Sequence, residues 1–310
     1  MLLRVGTIAQ NTYREAVRAR ILLGLAGVAF AVSLFSLVIG SFTLNNAPRV
    51  VTDLGTASIS LFSVAVAVVI GATSLYRELE QKTIFPILAR PIGRTEYIVG
   101  KYFGILLTLY VFIAADAGLV LSLAGGLAGK SVGAVAAGLG LPLLALVAAA
   151  IRWPAVRTYG PIPWAFAMLV VGAFLSDVSP DDRRMVLTAT YLTMLEVAIV
   201  AAIATLFSSF SSPFLSALLT LGLWLVGRSS DSLDRFPEKF FGATVSHGAK
   251  LLGKIVPNLQ LYVPPRPLLT GEAADVNRMQ YLLFSTGVAV GWSVVMLVGA
   301  SFVFKRRDFL

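Results

Sequence analysis

The sequence contains no cysteine and a single histidine. The first absence excludes disulfides, a thiol nucleophile and any cysteine-ligated metal or haem site. The second leaves a zinc site or a two-histidine catalytic centre short of ligands. Charge is scarce as well, at 13% of 310 residues, against about 25% in an ordinary soluble domain. That deficit excludes a soluble enzyme and a charged disordered chain. Apolar residues take the place of charge: 57% of the chain is hydrophobic and the mean hydropathy is +0.84. Charge-free stretches such as 21–48 and 54–76 exceed the roughly 20 apolar residues that cross a bilayer core. The chain therefore reads as a polytopic membrane protein. Its pI near 10.0 reflects basic residues gathered on one membrane face, with no nucleic acid partner implied.

Hydrophobic segments occur at about 21–44, 54–76, 102–124, 131–151, 159–176, 185–207, 212–227 and 281–304. Backbone groups in lipid must be satisfied within the segment, so each is expected to be helical. The fold class is accordingly all-α, a polytopic transmembrane helix bundle. Of its eight segments, 131–151 and 159–176 form a hydrophobic hairpin. The second arm of that hairpin begins with Gly160, Pro161 and Pro163, and both a spanning and a re-entrant form remain open. The apolar run from Ile21 is too long for a cleaved signal peptide and is expected to stay as an anchor.

Orientation follows from the basic residues. With eight crossings, Arg4, Arg14, Arg18 and Arg20, the connector residues Arg77, Lys82, Arg90, Arg94 and Lys101, the turn residues Arg152 and Arg157, and Lys305, Arg306 and Arg307 all fall on one side. Essentially the whole net charge of +9 lies there, which predicts that both termini are cytoplasmic. The run 305–307 is then the ordinary positive stop after a last span.

Residues 1–20 repeat apolar positions at Leu2, Val5, Ala9, Tyr13 and Ala16, with Arg4, Thr7, Asn11, Arg14 and Arg18 opposite. This is an amphipathic helix. It suits the inner membrane interface, and a cytoplasmic extension of the first span fits equally well. The membrane-spanning region then runs over 21–310. Its one large hydrophilic loop, 228–280, carries Pro237, Pro257, Pro264, Pro265 and Pro267 and is expected outside, as short helices broken by prolines.

The connector 77–101 mixes charge with Ile84, Phe85, Ile87 and Leu88. It is too apolar for a free loop and too short for a crossing. A short helix is expected, burying one side on the bilayer and offering the other to a partner. Pro91 and Gly93 break it, and Thr95 is expected to cap the next helix, with Glu96 in its first turn.

These residues resemble a family. The run from Glu78 to Lys101 is similar to the signature of type-2 ABC transporter permeases: a Glu-rich turn, a Thr, an Arg-Pro-Ile-Gly-Arg turn and a Gly-Lys after the second span. Further similar stretches are Asn11–Ala16, Leu206–Pro213 and the ending Phe304–Phe309. Within the family, the chain resembles permeases of nitrous-oxide-reductase maturation systems. The resemblance implies a multi-pass subunit of a bacterial cytoplasmic (inner) membrane that forms a homodimer. It also implies a cytoplasmic ATP-binding subunit, which would hold the ATP and Mg while this chain binds no cofactor. Glu78, Glu80, Thr83, Arg90, Pro91 and Lys101 would then couple the two. The extra segment 126–184 departs from the family's six spans.

Ala124–Ser131 imitates a phosphate loop with Ala in place of the first Gly. It joins two apolar spans, whereas a real one joins strand to helix, so no nucleotide site is expected. Asp116 and Glu196 lie inside spans. An acid there costs about 2.5–3.5 kcal/mol to insert, so each is expected either to line a substrate path or to make a hydrogen-bonded helix contact, with no Lys or Arg inside any span as counter-ion. His247 reads as a solvated loop residue. Gly118, Gly222, Gly287, Gly291 and Gly299 are expected to allow close helix packing.

The leading expectation is thus a permease subunit of an ABC exporter, not itself an enzyme. The alternative is a membrane scaffold or assembly factor for an envelope complex, docking an extracytoplasmic partner through 228–280. A membrane-embedded enzyme lacks paired carboxylates at helical spacing within a span.

Overall fold

The computed structural model describes residues 2–43, 46–80, 93–234, 247–248, 250–251, 253, 255–272 and 277–306. The described residues are mostly helical, with no strand among them. Each of the eight apolar segments forms a helix. α1 (Leu2–Arg18) and α2 (Arg20–Ser41) are separated by Ala19, whose extended backbone breaks the run, so α1 is a separate element and not a continuation of the first span. α3 (Ala47–Glu80) and α4 (Arg94–Leu127) contain 34 residues each. At 1.5 Å rise per residue they are about 50 Å long, well beyond a hydrocarbon core of about 30 Å. The hairpin consists of α5 (Val132–Arg152), a single turn α6 (Val156–Tyr159) and α7 (Pro161–Leu175). α8 (Pro180–Ser208), α9 (Pro213–Arg228), α10 (Ser230–Asp234), α11 (Arg266–Thr270) and α12 (Arg278–Arg306) follow.

Seven of these helices are long and apolar enough to cross a membrane; α9 is apolar but has 16 residues. α4 is the centre of the bundle, buried along nearly its whole length. It packs against α1, α3, α7 and α8. α5 buries no residue, and α2, α5, α9 and α12 present exposed Phe35, Leu141, Phe214 and Phe284. A helix that is apolar all round, with no soluble neighbour to cover it, suits contact with lipid.

The close approaches are made at glycines. A Cβ on Gly100 would meet Ile8 at 2.7 Å, and one on Gly104 would meet the Ala9 carbonyl at 2.5 Å. One turn apart on α4, these glycines form a groove that seats the apolar stripe of α1 (Ile8, Ala9, Thr12). Gly118 and Gly172 play the same part between α4 and α7, where a Cβ on Gly118 would sit 2.5 Å from the Met168 backbone. Of the glycines expected to pack, Gly118 does so. Gly222, Gly287 and Gly291 meet nothing within 4 Å, and Gly299 has ordinary contact with Leu206. Composition alone does not say which glycine faces a neighbour.

The two ends of the chain lie at one end of the bundle. Tyr97 of α4 stacks on Phe304 of α12, ring centroids 5.9 Å apart. Arg94 donates from Nη1 to the Phe304 and Lys305 carbonyls at 3.3 and 2.8 Å, which satisfies carbonyls that the helix end leaves open. The connector's downstream helix starts differently from the expectation. Helix begins at Arg94, Thr95 is already inside it, and the Gly93 N–H donates to Glu96 Oε2 at 3.2 Å. At the opposite end, Gly129, with φ +113°, makes the turn out of α4, and Ser131 Oγ caps α5 by accepting from the Ala134 N–H. The apparent phosphate loop is therefore a helix-to-helix turn, held by Lys130 pairing with Asp177 at 2.8 Å.

Candidate functional site

Two polar clusters lie within the apolar bundle, one near each end. The first surrounds Lys101. Its side chain is 2% exposed, although the sequence places it in a cytoplasmic connector. The ammonium donates to the Ser74 carbonyl at 3.1 Å and to Ser74 Oγ at 3.2 Å. Glu15 Oε2 lies 3.9 Å away and the Tyr97 ring 5.8 Å away. A buried ammonium needs this company, because losing water without hydrogen-bond acceptors and a counter-charge is costly. Three elements thereby meet at one side chain: α1 through Glu15, α3 through Ser74, and α4 through Lys101 itself. Arg4 of α1 also reaches Glu96, at 3.9 Å.

Glu78 and Glu80 close the last turn of α3, where the backbone alone is described. Thr83, Arg90 and Pro91 lie outside the described residues, as does most of the expected connector helix. Of the six coupling residues read from the sequence, Lys101 is thus the one whose side chain is placed, and it points inward.

The second cluster is centred on Glu196, fully buried on α8. Arg228, the last residue of α9, donates Nε to Oε1 at 2.8 Å and Nη2 to Oε2 at 3.1 Å. This two-pronged arrangement is the strong form of the guanidinium–carboxylate pair. Trp224 Nε1 donates to Oε1 at 2.9 Å, and Ser60 of α3 donates to Oε2 at 3.4 Å while accepting from Arg228 Nη2 at 2.7 Å. The expectation that no basic residue is available inside the bundle is overturned here. Arg228 ends an apolar run and reads as a loop residue, but α9 is short enough, at about 24 Å, that its end stops inside the bundle beside Glu196. An aromatic four residues before a terminal Arg on a 16-residue span was the signal in the sequence.

The chain then folds back. Val256, Leu259 and Tyr262 are buried, the Leu259 N–H donates to the Gly227 carbonyl at 3.0 Å, and Tyr262 Oη donates to the Ser285 carbonyl of α12 at 3.1 Å. Part of the 228–280 segment is thus packing material between α9 and α12. Further out, Arg266 of α11 binds Asp53 of α3 at 2.5 Å and also Asp182 of α8. Between the Arg228 and Arg266 levels lies a cavity of about 530 Å3. Asp116 belongs to neither cluster. It accepts from Ser33 Oγ of α2 at 2.8 Å through Oδ1, while its buried Oδ2 has no partner among the described residues. The two intramembrane acids are therefore not brought together, since Asp116 faces α2 and Glu196 faces α3 and α9. His247 is exposed, and no group of residues able to hold a metal ion occurs among the described residues.

Sequence comparison fits this architecture. No curated protein matches the chain. A family model described as ABC-2 family transporter protein matches residues 6–309, which spans both clusters, the inserted hairpin and the segment that folds back. The chain therefore belongs to the ABC-2 transporter family, as a multi-pass, all-helical membrane component.

Proposed function

We propose that the chain is the permease subunit of an ATP-driven exporter. A separate ATPase drives it from the cytoplasm, pressing on the connector between α3 and α4. The observation that carries this reading is the Lys101 joint. Any displacement of the connector acts on the C-terminal end of α3 and the first turns of α4, and Lys101 ties Ser74, about two turns before the end of α3, to α4 and to α1. Both helices continue for about 50 Å, so a push at one end is carried to the Glu196 and Arg266 levels by rigid elements. Two copies are expected to assemble, each docking one ATPase that supplies the ATP and Mg chemistry. The inner-membrane placement, the export direction and the similarity to nitrous-oxide-reductase maturation permeases rest on the resemblance of the connector and of the chain ends.

The test is reconstitution of the permease with its ATPase and measurement of ATP hydrolysis. Glu80→Lys or Arg90→Glu is expected to abolish stimulation while membrane insertion is unchanged. Full stimulation in both variants overturns the assignment of the connector. Co-purification separates the scaffold alternative, which predicts an envelope protein and no ATPase. That alternative also requires a free surface on 228–280, part of which is engaged in packing.

A further inference from the structure

The cavity between the Arg228 and Arg266 levels takes no part in coupling to an ATPase. Its size of about 530 Å3 lies within the roughly 300–1,000 Å3 of small-molecule sites. The walls are mainly apolar, with Leu61, Met185, Trp224 and Tyr262 among the lining residues. Polar groups converge at the floor and at the mouth, which is the pattern that gives such sites orientation and specificity.

At the floor, Arg228 lines the cavity with its side chain 21% exposed. Its Nε and Nη2 are taken by Glu196 and Ser60. Its Nη1 has no acceptor among the described residues, which leaves a hydrogen-bond donor on a residue that lines the cavity. At the mouth, Arg266 is paired with both Asp53 and Asp182. Each of these guanidinium groups is already matched, Arg228 by Glu196 and Arg266 by Asp53 and Asp182, and Asp53 also lies 3.9 Å from Arg49. A free anion or a bare cation would have to enter mainly apolar walls and displace ion pairs already formed.

We propose that this cavity binds a compact, uncharged and largely apolar molecule carrying an oxygen acceptor, an alcohol, ketone or ester, which takes the hydrogen bond of Arg228 Nη1. The Trp224 indole forms part of the wall and reports occupancy. Its Nε1–H is spent on Glu196, so it contributes ring surface and no second donor. Discrimination against the hydrocarbon analogue comes from one hydrogen bond to a charged donor, worth on the order of tenfold in affinity.

The test uses bromine quenching of Trp224 fluorescence in the full chain, in detergent without any ATPase, with Trp153, Trp164 and Trp292 replaced by Phe. Three probes share a bromophenyl ring: ethyl 4-bromobenzoate, 4-bromobenzoate and 1-bromo-4-propylbenzene. The ester is expected to quench saturably, with the hydrocarbon and the anion each about tenfold weaker. Ala189→Phe, which fills the cavity from α8, is expected to remove the saturable phase. Linear quenching that is indifferent to Ala189→Phe overturns the site, and anion binding as tight as the ester overturns the chemical class. Where the triple Trp replacement fails to fold, the wild-type chain is compared with Trp224→Phe, and the saturable fraction must disappear with Trp224. A failed binding test leaves the ATPase reading intact, and a failed reconstitution leaves this one intact.

Discussion

Glu196 has no surface left to water, and its charge is met by Arg228, Trp224 and Ser60. Removing one partner of such a pair strands the other in a low-dielectric interior, at a cost of about 3–5 kcal/mol, whereas replacing both by apolar or neutral groups is often tolerated. Arg228→Met alone is therefore expected to lower the thermal midpoint of the purified chain sharply, and Glu196→Gln combined with Arg228→Met to recover most of the loss. Thermal unfolding in detergent measures both. Equal loss in the single and double variants would mean that Arg228 stabilises through packing on Trp224, whose ring lies 5.6 Å from the guanidinium, and not through charge. Lys101 makes the contrasting case. Lys101→Met removes the donor to Ser74 and leaves Glu15, half exposed, free to turn to water. A smaller stability loss than for Arg228→Met is expected, together with a loss of ATPase stimulation if the joint transmits motion. The acids inside spans were visible in the sequence because charge is rare there. Their partners were not, since Ser33, Ser60 and Trp224 are ordinary residues until the helices are packed together.

At the level of elements, hydrophobic runs located the helices because lipid leaves the backbone no alternative. The same runs say little about neighbours, because Leu toward lipid and Leu toward protein look alike. α1 illustrates both sides. Its 3.6-residue period shows which face is apolar, yet that face covers the Gly100–Gly104 groove of α4, where an interfacial helix would have given it to the membrane. A Cβ at residue 104 would lie 2.5 Å from both the Ala9 carbonyl and Thr12 Cβ. Backbone cannot yield cheaply there, so Gly104→Val is expected to undock α1. With no native cysteine, Ala16→Cys gives a clean reporter, because Ala16 is 7% exposed. Maleimide labelling is expected to be slow in the Gly104 background and at least several-fold faster with Gly104→Val. Unchanged labelling would show α1 held by its other contacts. Arg266 offers a parallel case at the opposite end. Arg266→Ala removes the link between Asp53 of α3 and Asp182 of α8, and amide exchange in 266–270 is expected to rise while α4 remains protected.

For the molecule as a whole, the question is which end of the bundle faces the cytoplasm. Packing puts the chain ends at one end of the bundle: Arg94 and Tyr97 meet Phe304, and α1 lies along the same part of α4. Glu80 of α3 and Arg94 of α4, the helix ends on either side of 81–93, are at that end too. The excess of basic residues is the ground for proposing that this end faces the cytoplasm; the other end carries Lys130, Asp177, Asp53 and Arg266. The argument has a direct check, since any single cysteine placed in this chain is the only thiol. Asp181→Cys, at the start of α8 on the far end, is expected to react with a membrane-impermeant maleimide in intact cells. Ala155→Cys, exposed in the turn between α5 and α6 at the near end, is expected to react after permeabilisation and not before. The opposite pattern would turn the connector away from every cytoplasmic ATPase and remove the basis for coupling through Lys101. It would at the same time open the cavity to the cytoplasm, so the two sites would exchange sides together.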